Sequence, residues 1–250
     1  MRSTGHDPSA AVRRFTEQPG ATCRIVCLAH AGGGANAFRR WPRMFGPQVD
    51  VVALQYPGRE NRMADPLIDS MPALVEHLSE ALVPLTDLPW VLFGHSMGAA
   101  VAYELALDLR RRGAPGPHRL VVSAREAPSR ARGGDVHLRS DDGIVADLTR
   151  LGGTAAEVLA HRELREIVLP VVRNDYRLIE TYRPGPAEPL SVPVTALRGD
   201  ADPDVDAADA DAWREITTGA FDAVVLPGGH FYLTEIPDRL GALLGARLPG

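Results

Sequence analysis

The sequence contains no lysine, and all 27 of its basic residues are arginine. This absence excludes chemistry that needs a lysine amine, such as Schiff-base formation or general-base catalysis by lysine. The formal net charge is −5 and no long basic run is present, so we expect no binding to nucleic acid. No apolar run reaches the length of about 18 residues that a membrane-spanning helix requires, so we expect no association with a membrane.

Cysteine is also scarce, with only Cys23 and Cys27 in the chain. Their even spacing on one predicted strand places both on the same face, where they cannot form a disulfide with each other. They are typical of reduced core residues in a cytoplasmic protein. No C-x-x-C pair and no histidine pair at helical spacing occurs, so no metal site is predicted. The first residues lack the apolar segment of a secretory signal, and we expect 1–21 to form a flexible tail.

The segment GHSMG at 94–98 carries the strongest chemical signal. An apolar run precedes it and a helical pattern follows it, which is the strand, turn and helix that a nucleophile elbow requires. Gly94 and Gly98 keep Cβ atoms out of a crowded turn. Ser96 is therefore the predicted nucleophile, and it needs a base, an acid and an oxyanion hole to act at neutral pH.

His230 is the predicted base. In elbow enzymes the partners follow in the order Ser, Asp or Glu, His, which leaves only the histidines downstream of the serine. His230 ends a predicted buried strand and a glycine-rich turn, whereas His137 and His161 lie in polar or helical stretches. His118 precedes a strand and so lies at the wrong edge of the sheet. The upstream His30 and His95 do not fit the chain order and are interpreted as structural.

Four aspartates follow the predicted strand at 192–198, and one of them is expected to orient the histidine. Asp202 is the first choice because an acid three residues past Gly199, in the loop after the strand, can turn back toward the imidazole. Asp200 is the second choice. Asp204 and Asp206 are expected to solvate the loop or to cap the next helix.

The glycine-rich segment HAGGG at 30–34 follows the first predicted strand and can bring a backbone N–H to a substrate carbonyl oxygen. Ala31 is the candidate for this donor, and the N–H of Met97, the residue after the nucleophile, is the second. No dinucleotide or P-loop fingerprint is present, so these glycines do not predict a nucleotide site. No cofactor is expected.

Strands and helices alternate along most of the chain, which predicts an α/β fold with a mostly parallel sheet covered by helices on both faces. Strands are predicted at 23–29, 50–56, 90–95, 119–124, 192–198 and 221–226, and helices at 71–83, 99–112, 207–217 and 234–245. The range 135–185 breaks the rhythm with three helical patterns, one of them starting at a capping box at 154–157 and one interrupted or kinked at Pro170. We interpret 135–185 as an inserted helical lid within a single domain spanning 1–250. Its apolar residues Ile144, Leu148, Ile167 and Val171 are expected to wall a pocket beside Ser96.

The chain resembles the type II thioesterases, the stand-alone editing enzymes of polyketide and nonribosomal peptide assembly lines. The resemblance covers most of the chain, with YPGRENR at 56–62 and RNDYRLIETY at 173–182 as its most specific segments. Two segments depart slightly from the family's usual motifs, namely SAREAP at 123–128 and the third glycine of HAGGG. Neither departure changes a catalytic side chain. The other matching segments are GHSMGA at 94–99, LGGT at 151–154, GDADP at 199–203 and PGGHF at 227–231.

The resemblance implies an α/β-hydrolase fold, a triad of Ser96, Asp202 and His230, and oxyanion donors at Ala31 and Met97. It also implies hydrolysis of acyl groups from the phosphopantetheine arm of acyl or peptidyl carrier proteins. Two alternatives stay open: a carboxylesterase acting on small esters, and a non-catalytic module that binds carrier proteins. Carrier proteins are generally acidic, so docking on this net-negative chain needs a local positive patch, for which the candidates are Arg39, Arg40, Arg59 and Arg62. For Arg59 the alternative is a buried structural pair with Glu60 or another acid.

Overall fold

The computed structural model describes residues 8–152 and 161–249. A seven-stranded sheet has the order β1-β3-β2-β4-β5-β6-β7, in which β1 is antiparallel to β3 and all other neighbours are parallel. This confirms the predicted mostly parallel α/β fold. The strands are β1 Val12–Arg14, β2 Cys23–Leu28, β3 Val49–Leu54, β4 Trp90–His95, β5 Arg119–Ser123, β6 Val194–Gly199 and β7 Phe221–Leu226. The described α-helices are α1 Met71–Leu82, α2 Met97–Arg111, α3 Asp141–Leu151, α4 Arg162–Thr181, α5 Ala207–Asp211, α6 Tyr232–Glu235 and α7 Pro237–Gly245.

The central strands lie in the core of the protein. Every residue of β2, β3 and β4 is buried, as expected for parallel strands covered on both faces. Cys23 and Cys27 on β2 are both buried and unbridged. Because the parallel strands run in register, their carboxyl ends meet at one edge of the sheet, and the loops that leave these ends can converge on one site.

Two sequence expectations about strands are wrong. Part of the expected tail forms β1, in which Val12 pairs with Leu54. This edge pairing uses backbone groups, which a short segment without apolar alternation does not reveal. The last strand, β7, is predicted to be buried, but it is one of the two outermost strands of the sheet, and Val225 is 46% exposed. An apolar run alone does not distinguish an edge strand from a central one.

The described part of 135–185 contains α3, α4 and a short 3₁₀ turn, and no strand. Five residues of this insertion form a small apolar cluster separate from the main core: Val136, Ile144, Leu148, Leu169 and Val172. Helix α4 continues through Pro170 as a single element. The predicted capping box at 154–157 lies outside the described residues. That the insertion moves as a lid stays a prediction.

Candidate active site

Ser96 occupies the turn between β4 and α2, where the backbone is strained. Its φ of 55° and ψ of −119° lie outside the regions that L-residues ordinarily adopt, and such strain persists only where the surrounding structure enforces it. A Cβ atom at Gly94 would overlap the carbonyl of Gly98, and one at Gly98 would overlap the carbonyl of Leu28. The two glycines are therefore required by the close approach of three backbone segments, and they hold a partly exposed Ser96 above the end of β4.

His230 and Asp202 form a hydrogen-bonded pair at the same edge of the sheet. His230 Nδ1 lies 3.0 Å from Asp202 Oδ2 and 3.2 Å from Oδ1, and both side chains are buried. The carboxylate binds one ring nitrogen and leaves Nε2 as the nitrogen that can exchange a proton with a reacting group. The loop after β6 supplies the acid, and the turn after β7 supplies the histidine.

The other aspartates of the β6 loop have different partners. Asp200 Oδ1 accepts the N–H of Gly228 at 2.9 Å, so this side chain holds the turn that leads to His230. Asp204 is exposed and pairs with Arg150 at 2.6 Å. Asp206 caps α5 in a capping box, which confirms the helix-capping expectation for this residue.

Ala31 and Met97 line the same cavity as Ser96 and His230. The Met97 N–H is the first of α2, and the first amides of a helix have no partner within it. The loop that carries Ala31 is a tight turn, because the Gly33 N–H donates to the His30 carbonyl at 3.0 Å. Gly32, at the third position of this turn, has a φ of +77°, as a type II turn requires.

His30 and His95 lie beside the site and are held neutral. Burial, with a smaller contribution from the neighbouring His230, lowers the pKa of His30 to about 4. Burial likewise holds the pKa of His95 well below its usual range. His95 Nδ1 lies 2.9 Å from Ser123 Oγ, which in turn lies 2.6 Å from the Tyr232 hydroxyl. This network supports the interpretation of His95 as a structural residue.

The cavity at Ser96 has a volume of about 530 Å³. Of the four apolar residues expected to wall it, only Leu148 does so. The expectation is wrong for the others, since Ile144 and Val171 are buried elsewhere and Ile167 is 51% exposed. Ile144 packs in the apolar cluster of the insertion instead of facing the cavity. The insertion contributes other residues to the cavity, including Val136, Leu151, Tyr176, Ile179 and Glu180.

The four candidate docking arginines differ in exposure. Arg39 and Arg40 are exposed and follow the loop of Ala31 by a few residues. Arg59 and Arg62 are only 7% and 3% exposed, so the expectation that they contact a partner is wrong. Arg59 pairs with Asp175 of α4, and Arg62 Nε lies 2.7 Å from Asp65. Sequence reasoning missed Asp175, although it lies in the RNDYRLIETY segment.

The described residues contain neither a side-chain group arranged as a metal site nor a helix suited to cross a membrane. Over 8–152 and 161–249, no group of three or more His, Cys, Asp or Glu side chains is arranged to hold a metal ion. Within these ranges no helix is both long enough and apolar enough to cross a membrane.

Comparisons with known proteins agree with this geometry. The family profile of the thioesterase domain matches residues 23–248. A probable cadicidin biosynthesis thioesterase of Streptomyces griseus is 42% identical over 247 residues, covering 98% of this chain and 68% of the relative. Thioesterase PikA5 of Streptomyces venezuelae is 41% identical over 235 residues, covering 92% of this chain and 82% of the relative.

Solved structures give the same result. The type II thioesterase BorB from the borrelidin biosynthetic cluster matches with a TM-score of 0.89 and 41% identity, covering 99% of this chain and 100% of BorB. RedJ, a thioesterase from the prodiginine pathway of Streptomyces coelicolor, matches with a TM-score of 0.87 and 41% identity, covering 93% of this chain and 88% of RedJ. The chain therefore belongs to the thioesterase family, and within it to the type II thioesterases, enzymes that hydrolyse thioesters.

Proposed function

We propose that this enzyme hydrolyses acyl groups from the phosphopantetheine arm of acyl or peptidyl carrier proteins. It would thereby clear aberrant acyl units from a polyketide or nonribosomal peptide assembly line. The observation that carries the proposal is the convergence of Ser96, His230, Ala31 and Met97 on one cavity of about 530 Å³. The names of the relatives, which refer to cadicidin biosynthesis and the borrelidin cluster, support the pathway class.

The acylation step uses Ser96 as the nucleophile. Its Oγ attacks the thioester carbonyl carbon while His230 Nε2 accepts the hydroxyl proton, and Asp202 stabilises the resulting imidazolium. The carbonyl oxygen becomes an oxyanion that the N–H groups of Ala31 and Met97 stabilise. When the tetrahedral intermediate collapses, the C–S bond breaks and the imidazolium gives its proton to the departing thiolate. The products are the acyl-enzyme and the free pantetheine thiol.

The deacylation step replaces the thiol with water. His230 Nε2 accepts a proton from the water as its oxygen attacks the ester carbonyl of acylated Ser96. The second tetrahedral intermediate uses the same two N–H donors. Its collapse breaks the C–Oγ bond, and the imidazolium returns a proton to Ser96. The fatty or amino acid leaves as a free carboxylic acid, and no cofactor is required because the substrate brings the phosphopantetheine group.

The docking site for the carrier protein is proposed at Arg39 and Arg40. Both side chains are exposed, and neither has an ion-pair partner among the residues that the structure describes. Their charges are therefore available to an acidic carrier surface that reaches the neighbouring cavity. We expect the enzyme in the cytoplasm, where reduced cysteines such as the unbridged Cys23 and Cys27 are common.

The experiment compares acetyl, propionyl, malonyl and aminoacyl groups, each loaded on a carrier protein and on a small thiol. Hydrolysis with a burst of thiol release is expected, with a higher kcat/KM for the carrier-bound groups. Preference for simple oxygen esters over all thioesters would instead indicate a carboxylesterase. Carrier binding without acyl release would indicate a non-catalytic module.

The same panel tests the docking site. Arg39→Ala combined with Arg40→Ala should raise the KM for acyl carrier protein several-fold and leave kcat and small-thiol substrates unchanged. Arg214→Ala is the matched control, because Arg214 is an exposed arginine on the segment between α5 and β7. An equal effect of the double variant on both substrate classes would exclude docking as the role of Arg39 and Arg40.

A further inference from the structure

A buried carboxylate of the helical insertion contacts the loop that carries Ala31. Asp175 lies on α4 and is only 2% exposed. Its Oδ2 accepts the backbone N–H of Gly32 at 2.8 Å. This N–H belongs to the residue with positive φ in the His30–Gly33 turn. An element from outside the sheet therefore holds the central residue of the turn.

Arg59 completes this arrangement by contacting both Asp175 and the turn. Its guanidinium pairs with both oxygens of Asp175, with Nη2 lying 2.8 Å from Oδ1 and Nη1 contacting Oδ2. Arg59 Nη1 also donates to the Gly33 carbonyl at 3.0 Å. The pair thus binds the N–H of one turn residue and the C=O of the next. A bidentate pair of this kind fixes orientation as well as distance.

The packing of α4 against the turn leaves little space for movement. A Cβ atom at Gly32 would lie 2.6 Å from Val172 Cγ2. Val172 and Asp175 are three residues apart and share one face of α4. Tyr176 and Ile179, further along the helix, line the cavity at Ser96. This part of the insertion is thus built into the wall of the site and into the support of the oxyanion loop.

We propose that Asp175 is a positioning residue for the oxyanion hole and that it acts through Gly32 and Arg59 on the Ala31 N–H. This inference rests on the proposed function, in which Ala31 is an oxyanion donor. Such a donor is effective only within about 2.7–3.1 Å of the oxyanion. Displacing the turn by a fraction of an ångström should therefore lower the rate of the chemical step. A buried ion pair adds little net stability, and a role in geometry accounts for its placement here.

The test is steady-state kinetics of Asp175→Asn and Asp175→Ala with an acyl-carrier substrate. Removing an oxyanion donor costs about 100-fold to 1,000-fold in kcat, so misplacing one should cost about 10-fold to 100-fold. We expect Asp175→Ala to lose the most. Asp175→Asn keeps an acceptor oxygen for Gly32 and should recover part of kcat. KM should stay within about threefold of the wild-type value, because the bound substrate interacts more weakly with the oxyanion hole than the transition state does.

Asp50→Asn is the matched control. Asp50 is also a buried aspartate paired with a buried arginine, with its Oδ2 2.7 Å from Arg24 Nε, but it lies at the amino ends of β2 and β3. The variant Asp50→Asn should lower the melting temperature about as much as Asp175→Asn does, and it should leave kcat within about twofold of the wild-type value. Equal losses of kcat in the two variants would overturn the proposal, since they would reflect general destabilisation.

Inhibition by a transition-state analogue distinguishes a positioning role from a purely structural one, because a purely structural role would leave the inhibition constant unchanged. A trifluoromethyl ketone analogue of the acyl thioester forms a tetrahedral adduct whose oxyanion occupies the hole. Its inhibition constant should rise in Asp175→Asn by the same factor by which kcat/KM falls. Wild-type kcat and unchanged inhibition in Asp175→Asn and Arg59→Lys, with Ser96→Ala inactive, would overturn this inference alone. Activity in Ser96→Ala would instead overturn the proposed function.

Discussion

The parallel sheet has a carboxyl edge, where the carboxyl ends of its strands meet, and an amino edge, where their amino ends meet. The two differ in how much strain the backbone carries. Among the described residues, the non-glycine residues with positive φ are Glu60, Ser96 and Ala124, and all three follow the carboxyl ends of strands. The amino edge contains none of them. Backbone strain of this kind costs about 1–3 kcal/mol per residue and persists where the surrounding structure enforces it. The carboxyl edge is therefore the edge at which geometry has been kept at the expense of stability.

Each edge also has a buried ion pair, and the contacts of the two pairs differ. Asp50 at the amino edge pairs with Arg24 and Arg14 and joins strands. Asp175 at the carboxyl edge pairs with Arg59 and also binds the Gly32 N–H. The same chemistry therefore joins strands at one edge and binds the loop that carries Ala31 at the other. Burial of an ion pair does not by itself indicate its role.

The largest expected effect is at the strained serine of the carboxyl edge. Ser96→Ala should lower kcat by about 10⁴-fold or more, because it removes the nucleophile. The melting temperature should stay near the wild-type value, since the change removes one oxygen atom from a partly exposed side chain that lines the cavity. Kinetics with acyl carrier protein and thermal denaturation measure the two effects. Near-normal hydrolysis by this variant would refute the assignment of Ser96 as the nucleophile.

The two neighbouring aspartates of the β6 loop should differ in effect. Asp202→Asn should lower kcat by about 10³-fold to 10⁴-fold, because the amide no longer holds the required tautomer of His230. Asp200→Asn should cost about 10-fold or less, because the amide oxygen can still accept the Gly228 N–H that Asp200 Oδ1 accepts. The kcat ratio of the two variants is the measurement. A larger loss at Asp200 would reassign the acid and leave the serine mechanism intact.

Two glycines with positive φ allow the edges to be compared directly. Gly32→Ala should lower kcat about 10-fold or more, because the new methyl group meets Val172 and displaces the turn. Gly113→Ala is the control, since Gly113 has a φ of +65°, open space around it and a position after α2 on the way to the amino end of β5. Each should cost about 1–2 kcal/mol of stability for its backbone conformation. A kcat loss at Gly113 would contradict the comparison.

The smallest expected effect concerns pH. Burial lowers the pKa of His30 from 6.5 to about 4, so the unfolded state binds more protons between these pH values. Stability therefore falls as pH decreases through this window. From pH 7 to pH 5 His30 should account for a loss of about 2 kcal/mol in the free energy of unfolding.

Urea denaturation at both pH values tests this contribution. The difference between the two free energies of unfolding should shrink in His30→Asn and stay unchanged in His118→Asn. His118 is the matched control because it is exposed at the amino edge of the sheet. An unchanged pH dependence in His30→Asn would show that His30 does not titrate in this way.

The fold could be predicted, and candidate reactive residues could be named, because both signals are local. Apolar runs predict the strands, and a GHSMG turn between a strand and a helix predicts an exposed serine. The loops after β6 and β7 predict an aspartate and a histidine at the same edge. The structure brings Asp202 and His230 together at 3.0 Å, as the reasoning about loop reach anticipates. The pairing of β1 and the exposure of β7 were not predictable, because edge position depends on which strands become neighbours.

Local sequence patterns are enough to predict the succession of strands from β2 to β7, the two crowded glycines of the elbow and the residue types proposed for acyl transfer, because each depends on neighbours along the chain. Which residues wall the cavity and which arginines are exposed depends instead on contacts between distant segments. Arg59 and Asp175 are 116 residues apart and no local pattern relates them. Their pairing results from the packing of α4 against the loop that carries Ala31, and the burial of charge depends on such long-range packing.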